Sequence, residues 1–148
     1  MSLVDAFTRT VYRIFLDSEV IDLRVGESSQ HLARIIGPTP WIVFSPGNPG
    51  ARRLSEAENA MRMDELKAWL VRQRLRHYPA VGLPPADQDW PPEASLLILD
   101  IPDAQAEALG ARYGQLAWLA GAAGQASRLV WSSSVQRSSS SERAKAGA

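Results

Sequence analysis

The sequence predicts an α+β fold, and three observations carry the prediction. Two unbroken apolar runs, Trp41-Ile42-Val43-Phe44 and Ser95-Leu96-Leu97-Ile98-Leu99, have the length and character of strands covered on both faces. Each is followed, after a chain break, by a stretch whose apolar residues recur at helical spacing. Nearer the N-terminus two β-rich runs meet across Asp17-Ser18-Glu19 as a hairpin. The chain has 148 residues, 45% of them hydrophobic and 22% charged, a size at which one core is self-sufficient.

Residues 3–8 read as a short helix leading into strands over 11–16 and 20–25. In the second strand Ile21, Leu23 and Val25 alternate with Asp22 and Arg24, which places it near a sheet edge with one wet face. A short helix over 29–36 is stopped by Gly37-Pro38-Thr39-Pro40. After the first apolar run, Ser45-Pro46-Gly47-Asn48-Pro49-Gly50 breaks the chain sharply. Ser55-Glu56-Ala57-Glu58 is a capping-box pattern and opens a helix reaching to residue 74. Its inward stripe is Met63, Leu66 and Leu70 with Trp69 alongside; Asn59 falls on the same stripe, and Glu58 and Arg62 stand four apart, spaced to pair.

A strand over 77–81 precedes a proline-rich loop over 82–92, and the second apolar run is the next strand. The helix over 103–113 buries Ala106, Leu109 and Tyr113, uses Gly110 for close packing and ends at Gly114 as its cap. Strands over 115–120 and 128–131 complete a single α+β domain over 1–131. The serine-rich stretch 132–148 has no apolar periodicity and is expected to be a disordered tail.

Sixteen Lys and Arg balance sixteen Asp and Glu, so no global field draws the chain to nucleic acid. No apolar run approaches a membrane span, and the first ten residues lack the pattern of a secretion signal. The absence of cysteine excludes thiol catalysis and thiolate metal sites and suits a cytoplasmic setting. His31 and His77 are isolated and lack ligand spacing, so neither a metal nor a cofactor is expected.

From residue 41 onward the order is strand, helix, strand, strand, helix, strand, the split βαβ order of ferredoxin-like folds. In that topology the first and third strands are central, which suits the two continuous apolar runs. The end of the first then lies beside the start of the second, and the two helices bring their start and finish to the same rim. Asn48, Asn59, Arg62, Glu93, Ser95 and Gln115 gather there as candidate ligand-binding residues.

The chain carries Thr10-x-Tyr12, Asn48-Pro49, Ser55-x-x-Glu58-Asn59-x-x-Arg62, Trp90-Pro91-x-Glu93-x-Ser95 and Leu109-Gly110-x-x-Tyr113-Gly114-Gln115. In these residues it resembles the bacterial domain of unknown function 3293 family. The resemblance implies no activity, substrate or cofactor. Three readings therefore stay open. The first is a module binding a polar or anionic small molecule at the rim. The second is a metal-independent hydrolase or transferase in which Glu93, beneath Trp90, has a raised pKa and acts as acid or base. The third is a protein-interaction module with a structural polar cluster, its contact surface a strand edge or the tryptophans Trp118 and Trp131.

Overall fold

The computed structural model of the chain describes residues 2–133 and 135. The elements are α1 (Leu3–Arg9), β1 (Val11–Phe15), β2 (Val20–Arg24), α2 (Gln30–Ile36), β3 (Trp41–Phe44), α3 (Glu56–Arg72), β4 (His77–Leu83), β5 (Glu93–Leu99), α4 (Asp103–Tyr113), β6 (Ala117–Gly121) and β7 (Arg128–Trp131). The seven strands form one sheet in the order β2-β1-β4-β5-β3-β6-β7, with every neighbouring pair antiparallel. The two apolar runs, β3 and β5, are neighbours in the middle of this order.

Strand alternation divides the core in two. Ile42, Phe44, Leu96 and Ile98 face α3 and α4, meeting Leu66 and Leu70 from one helix and Ala106, Leu109 and Tyr113 from the other. Trp41, Val43, Leu97 and Leu99 face the opposite way, toward Tyr12 and Ile14 of β1 and Leu32 and Ile36 of α2. Both helices of the first face are locally specified. Ser55 and Glu58 form the full capping box at the start of α3. At Gly110 a methyl group would come within 2.5 Å of the Trp118 indole, so α4 lies directly on β6.

The sheet curls until its two ends meet. The Gly26 amide donates to the Ser127 carbonyl at 2.9 Å, the Ser127 amide donates to Glu27 O at 2.9 Å, and the Ser127 hydroxyl donates to Arg24 O at 2.7 Å. These bonds join the segment after β2 to the turn before β7. α1 contributes a further contact between the extremes, because Phe7 packs edge-on against Trp131 at 5.5 Å.

Three details depart from the local sequence pattern. β5 starts at Glu93, two residues before the apolar run, because Glu93 and Ala94 pair with Gly82 and Val81 of a longer β4. Trp118 is only 3% exposed, and Trp131 is half-buried against Phe7, so the two tryptophans do not form an exposed docking patch. The Ser132 amide donates to Leu116 O at 2.8 Å and the Ser133 hydroxyl donates to Glu107 at 2.9 Å, attaching the first residues of the serine-rich stretch to the fold. Apart from residue 135, the rest of that stretch lies outside the described residues. Among those residues, no helix is long and apolar enough to cross a membrane.

Candidate functional site

The loop leaving β3 is the centre of the polar rim, and it is held from several sides. Asn48 sits in the left-handed region (φ 47°, ψ 62°), where a short polar side chain is better tolerated than a bulky one. Its Oδ1 accepts from the Leu54 amide and from Asn59 Nδ2, both at 2.9 Å. Asn59 Oδ1 in turn accepts the Asn48 backbone N–H at 3.1 Å, so the two asparagines clasp each other. One turn further along α3, Arg62 donates to Pro46 O at 2.6 Å and to Tyr113 O at 2.5 Å. Gln115 Nε2 donates to Gly47 O at 2.7 Å.

The end of α4 completes the clamp. Gly114 adopts the left-handed conformation that closes the helix (φ 65°), and its carbonyl accepts the Gly50 amide at 2.7 Å. A Cβ at Gly114 would lie 2.8 Å from Pro49 Cβ, so the residue that caps the helix also permits the loop to dock.

Glu93 opens β5 behind this loop. Asn48 Nδ2 approaches its Oε1 at 3.5 Å, and the Ser45 side chain also bonds to the carboxylate. Burial pushes the Glu93 carboxyl above the ordinary glutamate range, and the hydrogen bonds from Ser45 and Asn48 oppose that shift without cancelling it. Tyr12 lies nearby through strand register. Tyr12 of β1 is opposite Gly82 of β4, and Gly82 is opposite Glu93 of β5. With no side chain between them, the phenol and the carboxylate share one side of the sheet. Burial, reinforced by the Glu93 charge, raises the Tyr12 pKa far above that of an ordinary phenol.

These groups form the base of a pocket of about 280 Å³. Leu3 and Phe7 of α1, Val43 of β3, and Pro84 and Trp90 of the 84–92 loop supply apolar wall, while Asp89 stands in the same lining. Among the described residues, no Lys or Arg lines it. The 84–92 loop is tied to α1 by a double contact from Arg9 to Asp87, each at 3.2 Å. On its other flank Arg53 donates to Asp89 O at 2.7 Å and lies 4.9 Å from the centre of the Trp90 ring. A second cavity of about 450 Å³ lies against the start of α3, and Asn48 and Glu93 line both spaces.

The sequence-predicted site residues meet at one end of the sheet but divide by task. Asn48, Glu93, Ser95 and Gln115 line the inner pocket. Asn59 lines the outer cavity, and Arg62 lines neither. The expected Glu58–Arg62 pair is replaced by two other arrangements: Glu58 closes the capping box with Ser55, and Arg62 reaches the carbonyls of Pro46 and Tyr113. Arg112 pairs with Glu65 rather than Glu93. The sequence pattern alone does not bring Tyr12 or the α1 residues to this site. The inward alternation of Tyr12 and Ile14 was a readable signal, but its relevance required the β1–β4 register. Among the described residues, no three His, Asp or Glu side chains gather as metal ligands would.

The fold and site define a small α+β domain that builds a polar-based pocket on one side of an antiparallel sheet. The chain belongs to the family described as protein of unknown function (DUF3293), whose model matches residues 45–118. That span begins at the clamped loop and ends within β6, covering α3, β4, β5 and α4. No curated protein and no solved structure matches the chain.

Proposed function

We propose that the chain is a binding module for a small molecule with an apolar body and a hydrogen-bonding end, taken up in the inner pocket. The observation carrying this reading is the largely buried Glu93 carboxylate at the base of a concave, mainly apolar space. Asn48, Ser95 and Gln115 stand beside Glu93 as further polar contacts. Asn59 and Arg62 serve the site by holding the loop, since their polar atoms are engaged with Asn48, Pro46 and Tyr113. An anionic ligand fits poorly, because Glu93 and Asp89 belong to a lining in which no described residue is Lys or Arg.

A fragment library screened by ligand-observed NMR tests this reading. Fragments of this description should bind the full chain and be displaced by Ala6→Phe, which fills the pocket from α1. The proposal fails if no fragment binds or if binding is indifferent to that substitution.

A second reading is metal-independent hydrolysis or group transfer with Glu93 as acid or base. The upward displacement of its pKa by burial favours this reading. Glu93→Gln should then remove turnover while leaving the circular dichroism spectrum intact; retained turnover would exclude it.

We also infer that β3, α3, β4, β5, α4 and β6 form a ferredoxin-like split βαβ unit, extended by the β1–β2 hairpin and by β7. The order β4-β5-β3-β6 and the placement of α3 and α4 on one face support this assignment.

A further inference from the structure

We infer that the inner pocket selects an organic cation, a small alkyl or arylalkyl ammonium whose charged end meets Glu93 and whose hydrocarbon end lies against the apolar wall. This rests on the pocket reading above and names the ligand class that the same site would take.

The first support is the company Glu93 keeps. Its hydrogen-bond partners, Ser45 and Asn48, are neutral, whereas a carboxylate withdrawn from water is stabilised by a cation or by a proton. Among the described residues, no Lys or Arg lines this pocket. The arginines around it have other partners: Arg9 holds Asp87, Arg53 holds Asp89 O and stacks on Trp90, and Arg62 holds two carbonyls. Among the described residues, Glu93 therefore has no lining counterion when it ionises.

The second support is the wall. Phe7, Tyr12 and Trp90 place three aromatic residues in the lining, and aromatic faces attract cations as well as hydrocarbon. Asp89 belongs to the same lining and adds a second acidic residue to the pocket. Tyr12, its phenol proton retained because burial raises its pKa, offers oxygen lone pairs beside Glu93 across Gly82. A neutral donor bound to protonated Glu93 is the competing chemistry, and charge selectivity separates the two.

Selectivity for a cation has a pH signature. Among the described residues, the other titratable residues lining the pocket with Glu93 are Tyr12 from β1 and Asp89 from the 84–92 loop. Across the loop wall, Arg53, Glu56 and Asp64 line the outer cavity that Glu93 also borders. A bound cation favours ionised Glu93, so binding expels a proton where that group is partly protonated. Affinity consequently weakens as pH falls through a Glu93 pKa displaced upward by burial.

The test uses the full chain with benzylammonium, benzyl alcohol and benzoate as matched probes, followed by calorimetry or NMR titration. Benzylammonium should bind about tenfold or more tightly than benzyl alcohol, benzoate should bind least, and the ammonium preference should fade as pH is lowered and Glu93 takes up its proton. Glu93→Gln should bring the ammonium-to-alcohol ratio close to one while benzyl alcohol still binds. Asp22→Asn, at an exposed ion pair with Arg13 on the β1–β2 hairpin, should leave the ratio unchanged. Equal binding of ammonium and alcohol by the native chain, a ratio that survives Glu93→Gln, or preference for benzoate would overturn the inference while leaving a pocket in place. Failure of all three probes to bind would overturn the pocket reading with it.

Discussion

The two walls of the pocket are built in opposite ways. The wall formed by the loop after β3 is secured by part-buried bonds from α3, α4 and Gln115, each joining groups that would otherwise lose water without a partner. The wall formed by α1 and the 84–92 loop is secured by an ion pair whose side chains, Arg9 and Asp87, are 47% and 56% exposed, and by a stacked Arg53. Water and salt compete for the second set of contacts but have little access to the first. The difference assigns precision to one wall and access to the other. Asn48, which bonds Glu93, belongs to the held wall, while Trp90 and Phe7 belong to the wall that can shift.

Substitutions can break this contrast. Arg62→Met removes two charge-assisted bonds to carbonyls and should destabilise the protein by about 3 kcal/mol in urea unfolding. A loss below about 0.5 kcal/mol would mean that the loop is held without it. Asn59→Ala leaves the Asn48 backbone N–H without its acceptor and removes a donor to Asn48 Oδ1, for an expected loss of about 2 kcal/mol. It should also weaken binding of any pocket ligand through misplacement of Asn48, which a competition titration would read.

Glu93→Gln should act in the other direction. Because the folded-state carboxyl pKa is raised, the folded protein holds this proton more tightly than the unfolded chain, and its stability declines as pH rises through the folded value. Glutamine never ionises. The variant should therefore melt higher than the native protein at neutral and alkaline pH, with the gain shrinking as pH falls through the folded value toward the ordinary glutamate range. A pH-independent difference would show that ionisation is not the cause.

The smallest effect belongs to the wall with the exposed ion pair. Asp87→Asn removes the exposed pair with Arg9 and should change stability by less than about 0.5 kcal/mol. Its expected consequence is faster exchange of the α1 and 84–92 amides with solvent, reduced in the native protein as salt is lowered. Unchanged exchange would erase the distinction between the walls.

Local rules made part of this architecture readable. Ser55 and Glu58 satisfy each other's helix-start donors within four residues, and α4 runs over the expected 103–113 because Gly114 ends it where a left-handed residue is needed. The rim was legible too, since Asn59, Asn48 and Glu93 do meet at one end of the sheet. The partner of Arg62 was not, because helical spacing offered Glu58 while the Pro46 and Tyr113 carbonyls come from other elements. Tyr12 escaped notice for the same reason. Its approach to Glu93 depends on two strand registers and on Gly82 between them.

The amino-acid order by itself determined which segments coil, which extend, and which of their faces avoid water. Those outcomes follow from caps, breakers and apolar spacing over a few neighbouring residues. Only the tertiary structure decided that Glu93 faces a pocket with neutral partners, and that Asn59 and Arg62 bond to the loop after β3. Hydrogen bonding and charge pairing depend on distances between remote parts of the chain, and those distances exist only once the sheet has curled.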